Sequence, residues 1–537
     1  MKSNQNTSRA RFALASVLLI ISVAMAGIAA GQGGGASHRQ HLFVGFSKTP
    51  GAAEHALVQR YGGTVRFSFP SVNALAIDLD DANISALARE GGIRYVEKDP
   101  ARAPLGLADA QLTPSLSNGL YGLITTQALD AQAAGYSGTG IKACVADTGL
   151  DTTHPDIAAN FVAGKDIFGG TNSVDVFKLG VAATELHATH VSGILLGVYN
   201  NVGIFGVARQ AKLYEARVLG TQPDGSVSGE TSQVMAGVQW LADQGCRVIN
   251  MSLGGGDKST TEQALYQKLI AEGHMIVAST GNDGATRPSF PAAYDVVVSV
   301  GAVDRHNVHA SFSNTGGGID LSAPGVDVLS SVPAGKGFEA SVTTNQTFEA
   351  FPMEFAGTTK SRGITKTLVN CGLAASPSDC ASNIRGNIAL ISRGSYSFAQ
   401  KVASAMAAGA VGAIIYNNAP DNFHGTLGTP TNNGKAWIPA VSVSQADGAT
   451  LVTQLGSSAT LVNAPSSWDF FNGTSMAAPH VSGVAALVFG KNPNLTPTQV
   501  ESILKSTAQD LGPAGYDPTY GYGLVNALGA INATPNP

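Results

Sequence analysis

The chain has 537 residues, of which 44% are hydrophobic and only 13% are charged. It is long enough for several domains and apolar enough for a large core, with about half the usual ~25% of charged residues. The net charge of −5 comes without a basic patch or a long run of like charge. This composition argues against nucleic-acid binding and against a charged interaction tail.

Residues 1–30 have the pattern of a secretory signal. A positive head precedes an apolar run over 12–30, and that run ends on small residues. The pattern predicts export with cleavage near Ala30, so the mature protein would be extracellular and unattached to a membrane. A membrane anchor is the alternative, because about 19 apolar residues just suffice to cross a bilayer.

Residues 40–105 have the pattern of a small α+β domain. The predicted elements are strands over 41–46, 74–77 and 93–99 and helices over 52–61 and 84–89. Gly62 and Gly63 end the first helix, and the order is β-α-β-β-α-β-like. A generic ferredoxin-like domain would show a similar pattern. The stretch over 100–116 is rich in Pro, Leu and Ala and is interpreted as a linker.

From residue 117 short apolar strands alternate with helices. The predicted strands cover 141–146, 212–218, 247–251, 275–278 and 296–300, and the predicted helices include 231–244 and 261–272. Because these strands lack polar alternation and are separated by helices, they predict an α/β fold with a parallel sheet covered on both faces. Asp147 and Asn282 follow such strands, so we expect both in a cleft at the carboxyl edge of the sheet.

The alternation stops after Pro333, and residues 340–463 form an insert. Its predicted elements are strands over 387–391, 411–416 and 438–443 and a helix over 398–408. The earlier pattern resumes at residue 464 and continues to residue 533. The domain that precedes the insert therefore continues after it.

Three short segments supply an acid, a base and a nucleophile in the order Asp147, His187, Ser475. They read Val-Ala-Asp-Thr-Gly, His-Ala-Thr-His and Asn-Gly-Thr-Ser-Met-Ala. Acyl-transfer hydrolysis needs a hydroxyl to attack, an imidazole to take its proton and a carboxylate to orient the imidazole. In this order and with these flanks, the segments resemble the subtilisin-like serine peptidases. The family has Gly where this chain has Ala188, a difference that concerns the rate more than the identity of the base.

The resemblance implies a secreted serine endopeptidase that hydrolyses peptide bonds through an acyl-enzyme. Asp147 would orient His187, His187 would take the proton of Ser475, and Asn282 would donate to the oxyanion. Ser475 precedes a predicted helix in which Pro479 is tolerated as part of the first turn. The N-terminus of that helix also favours the developing negative charge.

Three other interpretations are weaker. His187 and His190 could bind zinc, but the chain has no His-Glu-x-x-His, and its cysteines lack zinc-ligand spacing. An esterase is disfavoured because no Gly-x-Ser-x-Gly elbow surrounds Ser475. An inactive binding protein, with the insert as its functional part, is disfavoured because Asp147, Asn282 and the other two catalytic residues are all present.

The resemblance extends to the flanking units. Residues 40–105, with their terminal Val-Glu-x-Asp, resemble the inhibitory propeptide of subtilisins, which implies a self-processing precursor with its own inhibitor and folding aid. The insert over 340–463 is similar to the protease-associated (PA) domain found in many subtilases. The peptidase domain would then consist of residues 117–339 and 464–533.

The resemblance also identifies where a polypeptide substrate would bind as an added strand. The two matching edges are Ser252-Leu253-Gly254 and Gly225-Ser226-Val227, the lining of the primary pocket is Ser279-Thr280-Gly281, and its floor is Ser289. Because no carboxylate is identified in that pocket, an apolar or broad preference is expected.

Structural calcium is the cofactor that the resemblance implies, and no organic cofactor is expected. The carbonyl oxygens of Val198, Val202 and Ile204, the side-chain oxygen of Asn200 and the carboxylate of Asp156 would be its ligands. Such all-oxygen coordination suits a hard cation. An ordinary Asn-rich turn is the alternative. We expect the enzyme to be a monomer.

Export permits disulfides, and the chain has four cysteines. Cys371 and Cys380 flank a short loop rich in Ser, Pro and Asp, and we expect a bridge between them. Cys144 and Cys246 each lie at or near the start of a predicted buried strand. The sequence leaves open whether these two pair or remain free thiols.

Overall fold

The structure, a computed structural model, describes residues 38–105, 120–420, 422–429 and 431–537. The predicted signal over 1–30 and most of the predicted linker lie outside these residues. Within the described part of the chain, no helix is both long enough and apolar enough to cross a membrane.

The N-terminal unit is an antiparallel sheet with two helices. Its elements are β1 (Arg39–Phe46), α1 (Ala52–Arg60), β2 (Thr64–Phe69), β3 (Ala74–Asp80), α2 (Asp81–Leu87), β4 (Ile93–Lys98) and β5 (Ala101–Pro104). The first four strands form a sheet in the order β2-β3-β1-β4. The β-α-β-β-α-β order is the one that the sequence predicts.

The two faces of this sheet have different partners. Leu42 and Val44 of β1 pack in one core with Val58 of α1. Phe43, which lies between them, and Phe69 belong to a second core that is shared with helices of the peptidase domain. The alternation of side chains along a strand explains how one sheet serves both cores.

The central sheet of the peptidase domain has seven parallel strands. The elements before the insert are α3 (Tyr121–Thr125), α4 (Ala128–Ala133), β6 (Ala143–Asp147), β7 (Phe161–Asp166), α5 (Val176–Leu179), α6 (His187–Leu196), β8 (Leu213–Arg217), β9 (Gly220–Thr221), β10 (Val227–Glu230), α7 (Thr231–Asp243), β11 (Val248–Met251), β12 (Leu253–Gly254), α8 (Thr260–Ala271), β13 (Met275–Ser279), β14 (Val298–Val303), β15 (Leu321–Pro324) and β16 (Val328–Ser331). The strand order is β15-β14-β13-β11-β6-β8-β7, parallel throughout. The predicted parallel sheet is confirmed.

The insert is built on a nine-stranded sheet. Its elements are β17 (Gly337–Thr343), β18 (Thr347–Glu349), β19 (Phe351–Glu354), β20 (Ile364–Asn370), β21 (Ile388–Ser392), α9 (Phe398–Ala408), β22 (Gly412–Tyr416), β23 (Gly425–Thr426), β24 (Thr431–Asn432), β25 (Lys435–Ala436), β26 (Ala440–Val443), α10 (Gln445–Thr453) and β27 (Ser458–Ser466). The sheet order is β18-β17-β27-β20-β21-β22-β26-β19-β23. After the insert come β28 (Trp468–Phe471), α11 (Thr474–Lys491), α12 (Pro497–Thr507) and α13 (Ala527–Ala533).

Both ends of the insert leave the peptidase domain side by side. β16 pairs antiparallel with β28, and Ser331 lies opposite Trp468. β17 pairs antiparallel with β27, and Gly337 lies opposite Ser466. The insert is therefore attached through two successive antiparallel strand pairs, with the turn over residues 333–336 between them.

The helices cover the central sheet on both faces. Val145 of β6 packs in the core that contains Val481 and Val484 of α11. Its neighbours Cys144 and Ala146 point the other way, into the core of α7 and α8. β6 is thus buried on both sides, which explains its unbroken apolar sequence.

Two disulfides join the four cysteines. Cys371 is bonded to Cys380 within the insert. Cys144 of β6 is bonded to Cys246, which precedes the neighbouring strand β11. The pairing that the sequence leaves open is therefore made between adjacent strands of the central sheet.

Candidate active site

Asp147 and His187 form a buried hydrogen-bonded pair. Asp147 ends β6 at the carboxyl edge of the sheet, and His187 begins α6. The Nδ1 atom of His187 lies 2.8 Å from Oδ1 and 3.0 Å from Oδ2 of Asp147. Because a carboxylate only accepts, Nδ1 carries the proton, and Nε2 of the neutral ring has the lone pair of a base. Nε2 is buried and has no hydrogen-bond partner among the described residues.

Thr148 connects the acid and base segments. Its N–H donates to Oδ1 of Asp147 at 2.7 Å, and its hydroxyl accepts from the N–H of Ala188 at 3.0 Å. Ala188, which stands where the resemblance leads us to expect glycine, is fully buried. The extra methyl group is therefore accommodated, and the hydrogen bond from the N–H of Ala188 to Thr148 is still made.

Ser475 is the second residue of α11 and lies at the N-terminus of that helix. Its hydroxyl donates to the carbonyl oxygen of Ser252 at 2.9 Å. Pro479 lies in the second turn and not in the predicted first turn, because the helix begins at Thr474. Pro479 has no N–H to donate to the carbonyl oxygen of Ser475. The hydroxyl of Ser252 donates to that oxygen instead, at 2.7 Å.

Two donors converge on the carbonyl oxygen of Leu105. The N–H of Ser475 lies 3.2 Å from this oxygen, and Nδ2 of Asn282 also donates to it. Asn282 is oriented by Thr474, whose N–H and hydroxyl each donate to Oδ1 at 2.9 Å. A backbone N–H and a fixed side-chain amide on one carbonyl oxygen are the arrangement of an oxyanion hole.

The short strand β5 lies in the cleft as an added strand. It pairs antiparallel with β12 on one side and with β10 on the other. The N–H of Leu105, which follows β5, donates to the carbonyl oxygen of Ser252 at 3.2 Å. The predicted edge formed by Ser252, Leu253 and Gly254 therefore borders this strand.

The structure corrects the other predicted edge, because Gly225 and Ser226 lie at the tip of the β9–β10 hairpin. The N–H of Ser226 donates to Oδ1 of Asp224 at 2.9 Å, and Gly225 has a φ of 87°, which glycine adopts at little cost. This turn closes the hairpin. β10 pairs with β5 only further along the chain, through Gly229 and Glu230.

The side chain of Leu105 lies against Gly254, close to Ser289, the predicted floor of the primary pocket. A Cβ atom on Gly254 would lie 2.6 Å from Cδ1 of Leu105 and 3.2 Å from Cβ of Ser289. A Cβ atom on Gly281 would lie 2.7 Å from Oγ of Ser289, and the N–H of Ser289 donates to the carbonyl oxygen of Thr280 at 2.7 Å. Gly254 thus leaves room for a side chain next to Ser289, and that of Leu105 lies there, whereas the missing side chain of Gly281 leaves room for Asn314 and Ser289. Ser279, the third predicted lining residue, is fully buried at the end of β13.

Asp156, the predicted calcium carboxylate, is fully buried. Its Oδ2 accepts from the hydroxyl of Ser331 at 2.9 Å and from Nε1 of Trp468 at 2.6 Å. Its Oδ1 accepts from Nδ2 of Asn200 at 3.1 Å. The side-chain oxygen of Asn200 accepts from the N–H of Val202 at 2.9 Å, so the amide would have to rotate to coordinate a cation at Asp156.

The predicted oxygen ligands near Asp156 have the chemistry of a hard-cation site. Within the described part of the chain, the carbonyl oxygens of Val198, Val202 and Ile204 accept no hydrogen bond. No cluster of three His, Cys, Asp or Glu side chains suited to a metal occurs among the described residues. The donor set fits calcium through its carbonyl oxygens and one carboxylate, once the amide of Asn200 has turned.

A buried ion pair behind the acid–base pair was not predicted. Oε2 of Glu185 accepts from the N–H of Gly149 and from Nε of Arg217, both at 2.8 Å. Glu185 comes two residues before His187, and Gly149 two residues after Asp147. The pair therefore fixes both catalytic segments relative to β8. No local pattern marks these residues, because the ion pair depends on distant segments of the chain.

Comparisons with known proteins agree with this geometry. The family model of the subtilase family matches residues 138–360, and that of the PA domain matches residues 364–451. Subtilisin E of Bacillus subtilis (strain 168) is 32% identical over 330 residues, which cover 60% of this chain and 81% of that protein. Alkaline elastase YaB of Bacillus sp. (strain YaB) is 35% identical over 274 residues, which cover 50% of this chain and 65% of that protein.

Solved structures show the same fold. The psychrophilic subtilisin-like protease Apa1 from Pseudoalteromonas sp. AS-11 matches with a TM-score of 0.61 and 30% identity, covering 78% of this chain and 99% of that chain. Fervidolysin from Fervidobacterium pennivorans, a keratinolytic enzyme related to subtilisin, matches in fold with a TM-score of 0.60 and 23% identity, covering 94% of this chain and 63% of that chain. The chain belongs to the subtilase family, and it is a subtilisin-like serine peptidase with a PA domain.

Proposed function

We propose that this peptidase is a secreted endopeptidase that is made as a self-processing precursor. Ser475 is the nucleophile, His187 the general base and Asp147 the group that orients the base. One observation carries the proposal: the carbonyl group of Leu105 is held by the N–H of Ser475 and the amide of Asn282. These two contacts support the proposal because they are the ones that a substrate carbonyl group would make in an oxyanion hole.

The proposed reaction begins when the Ser475 hydroxyl leaves the carbonyl oxygen of Ser252 and gives its proton to Nε2 of His187. Oγ then bonds to the carbonyl carbon, and the negative oxygen accepts from the N–H of Ser475 and from Asn282. His187 passes the proton to the leaving amine as the C–N bond breaks. Water, deprotonated by the same ring, cleaves the acyl-enzyme. Asp147 stabilises the imidazolium in both steps.

We propose that the precursor is cut between Leu105 and Gly106, within the linker that the sequence predicts. Residues 40–105 would then be the inhibitory propeptide, with β5 occupying the cleft until it dissociates. The predicted signal over 1–30 and the two disulfides support secretion.

Calcium is the proposed structural ion. Asp156, Asn200 and the carbonyl oxygens of Val198, Val202 and Ile204 would hold it, and the ion would stabilise the loop that follows α6. The observation that supports it is the set of three loop carbonyl oxygens that accept no hydrogen bond from the described residues. The ion has no part in the proposed chemistry.

The Ser475→Ala precursor tests the proposed function. It should accumulate uncut, whereas the wild-type protein should yield a mature chain that begins at Gly106 and reacts with a fluorophosphonate at Ser475. Ser506→Ala, at an exposed serine of α12, is the matched control and should mature normally. Normal maturation of Ser475→Ala in the absence of any other protease would contradict self-processing.

A further inference from the structure

We infer that the substrate cleft selects arginine as the fourth residue before the cleaved bond, with the carboxylate of Glu262 as the selecting group. The inference rests on the proposed function, because it takes β5 as a bound substrate. Counting back from Leu105, whose carbonyl group lies at Ser475, the fourth residue is Arg102. The substrate class is therefore polypeptides with arginine in this position and an apolar residue directly before the cleaved bond.

The guanidinium of Arg102 is enclosed and paired with Glu262. Its Nη2 lies 2.7 Å from Oε2 of Glu262, and both side chains are 0% exposed. The same Nη2 donates to the carbonyl oxygen of Asp257 at 3.2 Å. A substrate without the positive charge would leave the buried carboxylate unpaired, which is unfavourable away from water.

Glu262 is held by side chains of the peptidase domain as well as by Arg102. The hydroxyl of Tyr266 donates to Oε1 at 3.0 Å. The hydroxyl of Tyr294 lies 2.8 Å from Oε2. Both tyrosines are buried in the core of α7 and α8. Two of the groups that hold the carboxylate therefore belong to the peptidase domain and remain with it when the propeptide leaves.

A helix-capping role does not account for the carboxylate of Glu262. Glu262 is the third residue of α8, a position from which glutamate commonly reaches back to the N–H of the N-cap residue. The N-cap here is Ser259, and its N–H donates to the hydroxyl oxygen of Tyr294 at 2.9 Å. The side chain of Glu262 is thus directed to Arg102.

Arginine suits this pocket better than lysine or an apolar residue. A single nitrogen of its planar group, Nη2, reaches both Glu262 and the carbonyl oxygen of Asp257, and the guanidinium is less strongly hydrated than an ammonium, so its burial costs less. Lysine offers a shorter, more strongly hydrated point charge. From the cost of leaving one member of a buried charge pair alone, we expect about hundredfold discrimination against neutral side chains.

Peptide substrates test the inference on the mature wild-type enzyme. The reference peptide is Arg-Ala-Pro-Leu, the sequence of residues 102–105, followed by a chromogenic amide. Companion peptides carry citrulline, lysine or leucine in place of arginine. We expect kcat/KM for the arginine peptide to exceed that for citrulline, its neutral isostere, by about a hundredfold. Equal values for arginine, citrulline and leucine would overturn the inference, and this test needs no variant to fold.

The variant Glu262→Gln identifies the selecting residue. It is made from a precursor that also carries Arg102→Gln, so that no unpaired buried charge disturbs folding. We expect kcat/KM for the arginine peptide to fall about a hundredfold and that for the citrulline peptide to change little. Glu272→Gln, at the C-cap of the same helix where the side chain is 48% exposed, is the control and should keep the preference.

An arginine preference that persists in Glu262→Gln would overturn the inference. Equal loss of activity on all peptides would also overturn it, because the residue would then be needed for the fold and not for selection. Failure of the proposed function looks different. The wild-type enzyme would then hydrolyse none of the peptides, and Ser475 would not react with a fluorophosphonate.

Discussion

The carboxylate of Asp99 accepts a hydrogen bond from the backbone N–H of Ser232 at 2.9 Å, in the first turn of α7. Glu97 makes the equivalent contact with α8, accepting from the N–H of Thr261 at 2.9 Å. These are the two acidic residues of the Val-Glu-x-Asp segment. Helix N-termini carry unpaired N–H groups and positive partial charge, so the two carboxylates of this segment stabilise the N-termini of two peptidase helices.

We expect the affinity of the propeptide for the mature enzyme to fall as the pH rises. Burial raises the pKa of Asp99 from 3.8 to about 6, although the hydrogen bonds from Ser232 oppose the shift. The bound propeptide therefore keeps a proton between these values that the free one has lost, so low pH favours binding. Linkage at about 1.4 kcal/mol per pH unit predicts about tenfold weaker inhibition at pH 7 than at pH 5.

The inhibition constant of the cleaved propeptide, measured from pH 5 to pH 8, checks this trend. In Asp99→Asn the change between pH 5 and pH 7 should largely disappear, because asparagine does not ionise. If the variant shows the same trend as the wild type, other groups cause the pH dependence.

Calcium should stabilise the mature enzyme and change the fluorescence of Trp468. Binding at Asp156 would compete with the hydrogen bond from the Trp468 indole. A ligand that binds only the folded state adds ~2.7 kcal/mol at a hundredfold excess over Kd. Asp156→Asn should remove both effects, and Trp468→Phe should remove only the fluorescence change. A melting temperature that EDTA leaves unchanged, with metal removal verified, would reject the assignment.

Removal of the insert should leave the hydrolysis of small peptides largely intact. The four proposed catalytic residues lie outside it, and its ends at Gly337 and Ser466 are already paired. Replacing residues 338–465 by a short turn should therefore preserve fluorophosphonate labelling, while cleavage of large proteins changes more.

The deletion exposes Leu329 and Phe470, which share a small core with Phe351 of the insert. Phe351→Ala in the full chain is therefore the control for the stability effect, read from melting curves. A folded deletion variant that no longer reacts with the fluorophosphonate would show that the insert completes the active site.

Loss of the Cys144–Cys246 bridge should destabilise the peptidase domain. The bridge closes a loop with a sequence separation of 102, for which the chain-entropy relation predicts about 4.7 kcal/mol. We expect Cys144→Ala/Cys246→Ala to unfold at lower denaturant concentration. The Cys371–Cys380 bridge, with a separation of 9, is the comparison and should matter less. Equal unfolding midpoints for wild type and the first double variant would contradict the estimate.

Structural features that depend on a short stretch of sequence can be predicted from it. Features that depend on contacts between distant residues cannot. The apolar run of β6 predicts a strand buried on both faces. The edge strand β7 was not predicted, because its sequence Phe-Val-Ala-Gly-Lys-Asp has neither an apolar run nor strict alternation. The sequence predicts the substrate-binding edge at Gly225 and Ser226, several residues before the part of β10 that pairs with β5. The difference arises because the length of the β9–β10 hairpin depends on the turn at Gly225. The pairing of Arg102 with Glu262 joins residues 160 positions apart, and nothing local to either residue indicates it.

The core that Phe43 and Phe69 share with α7 and α8 has a consequence for the stability of the mature enzyme. If the proposed propeptide is cut and degraded, the apolar face that completed this core is no longer available to a chain that unfolds. Refolding would then have to proceed without the partner present during the first folding event. We therefore expect the working lifetime of the enzyme to be set by the height of its unfolding barrier, so that its durability is a rate and not an equilibrium.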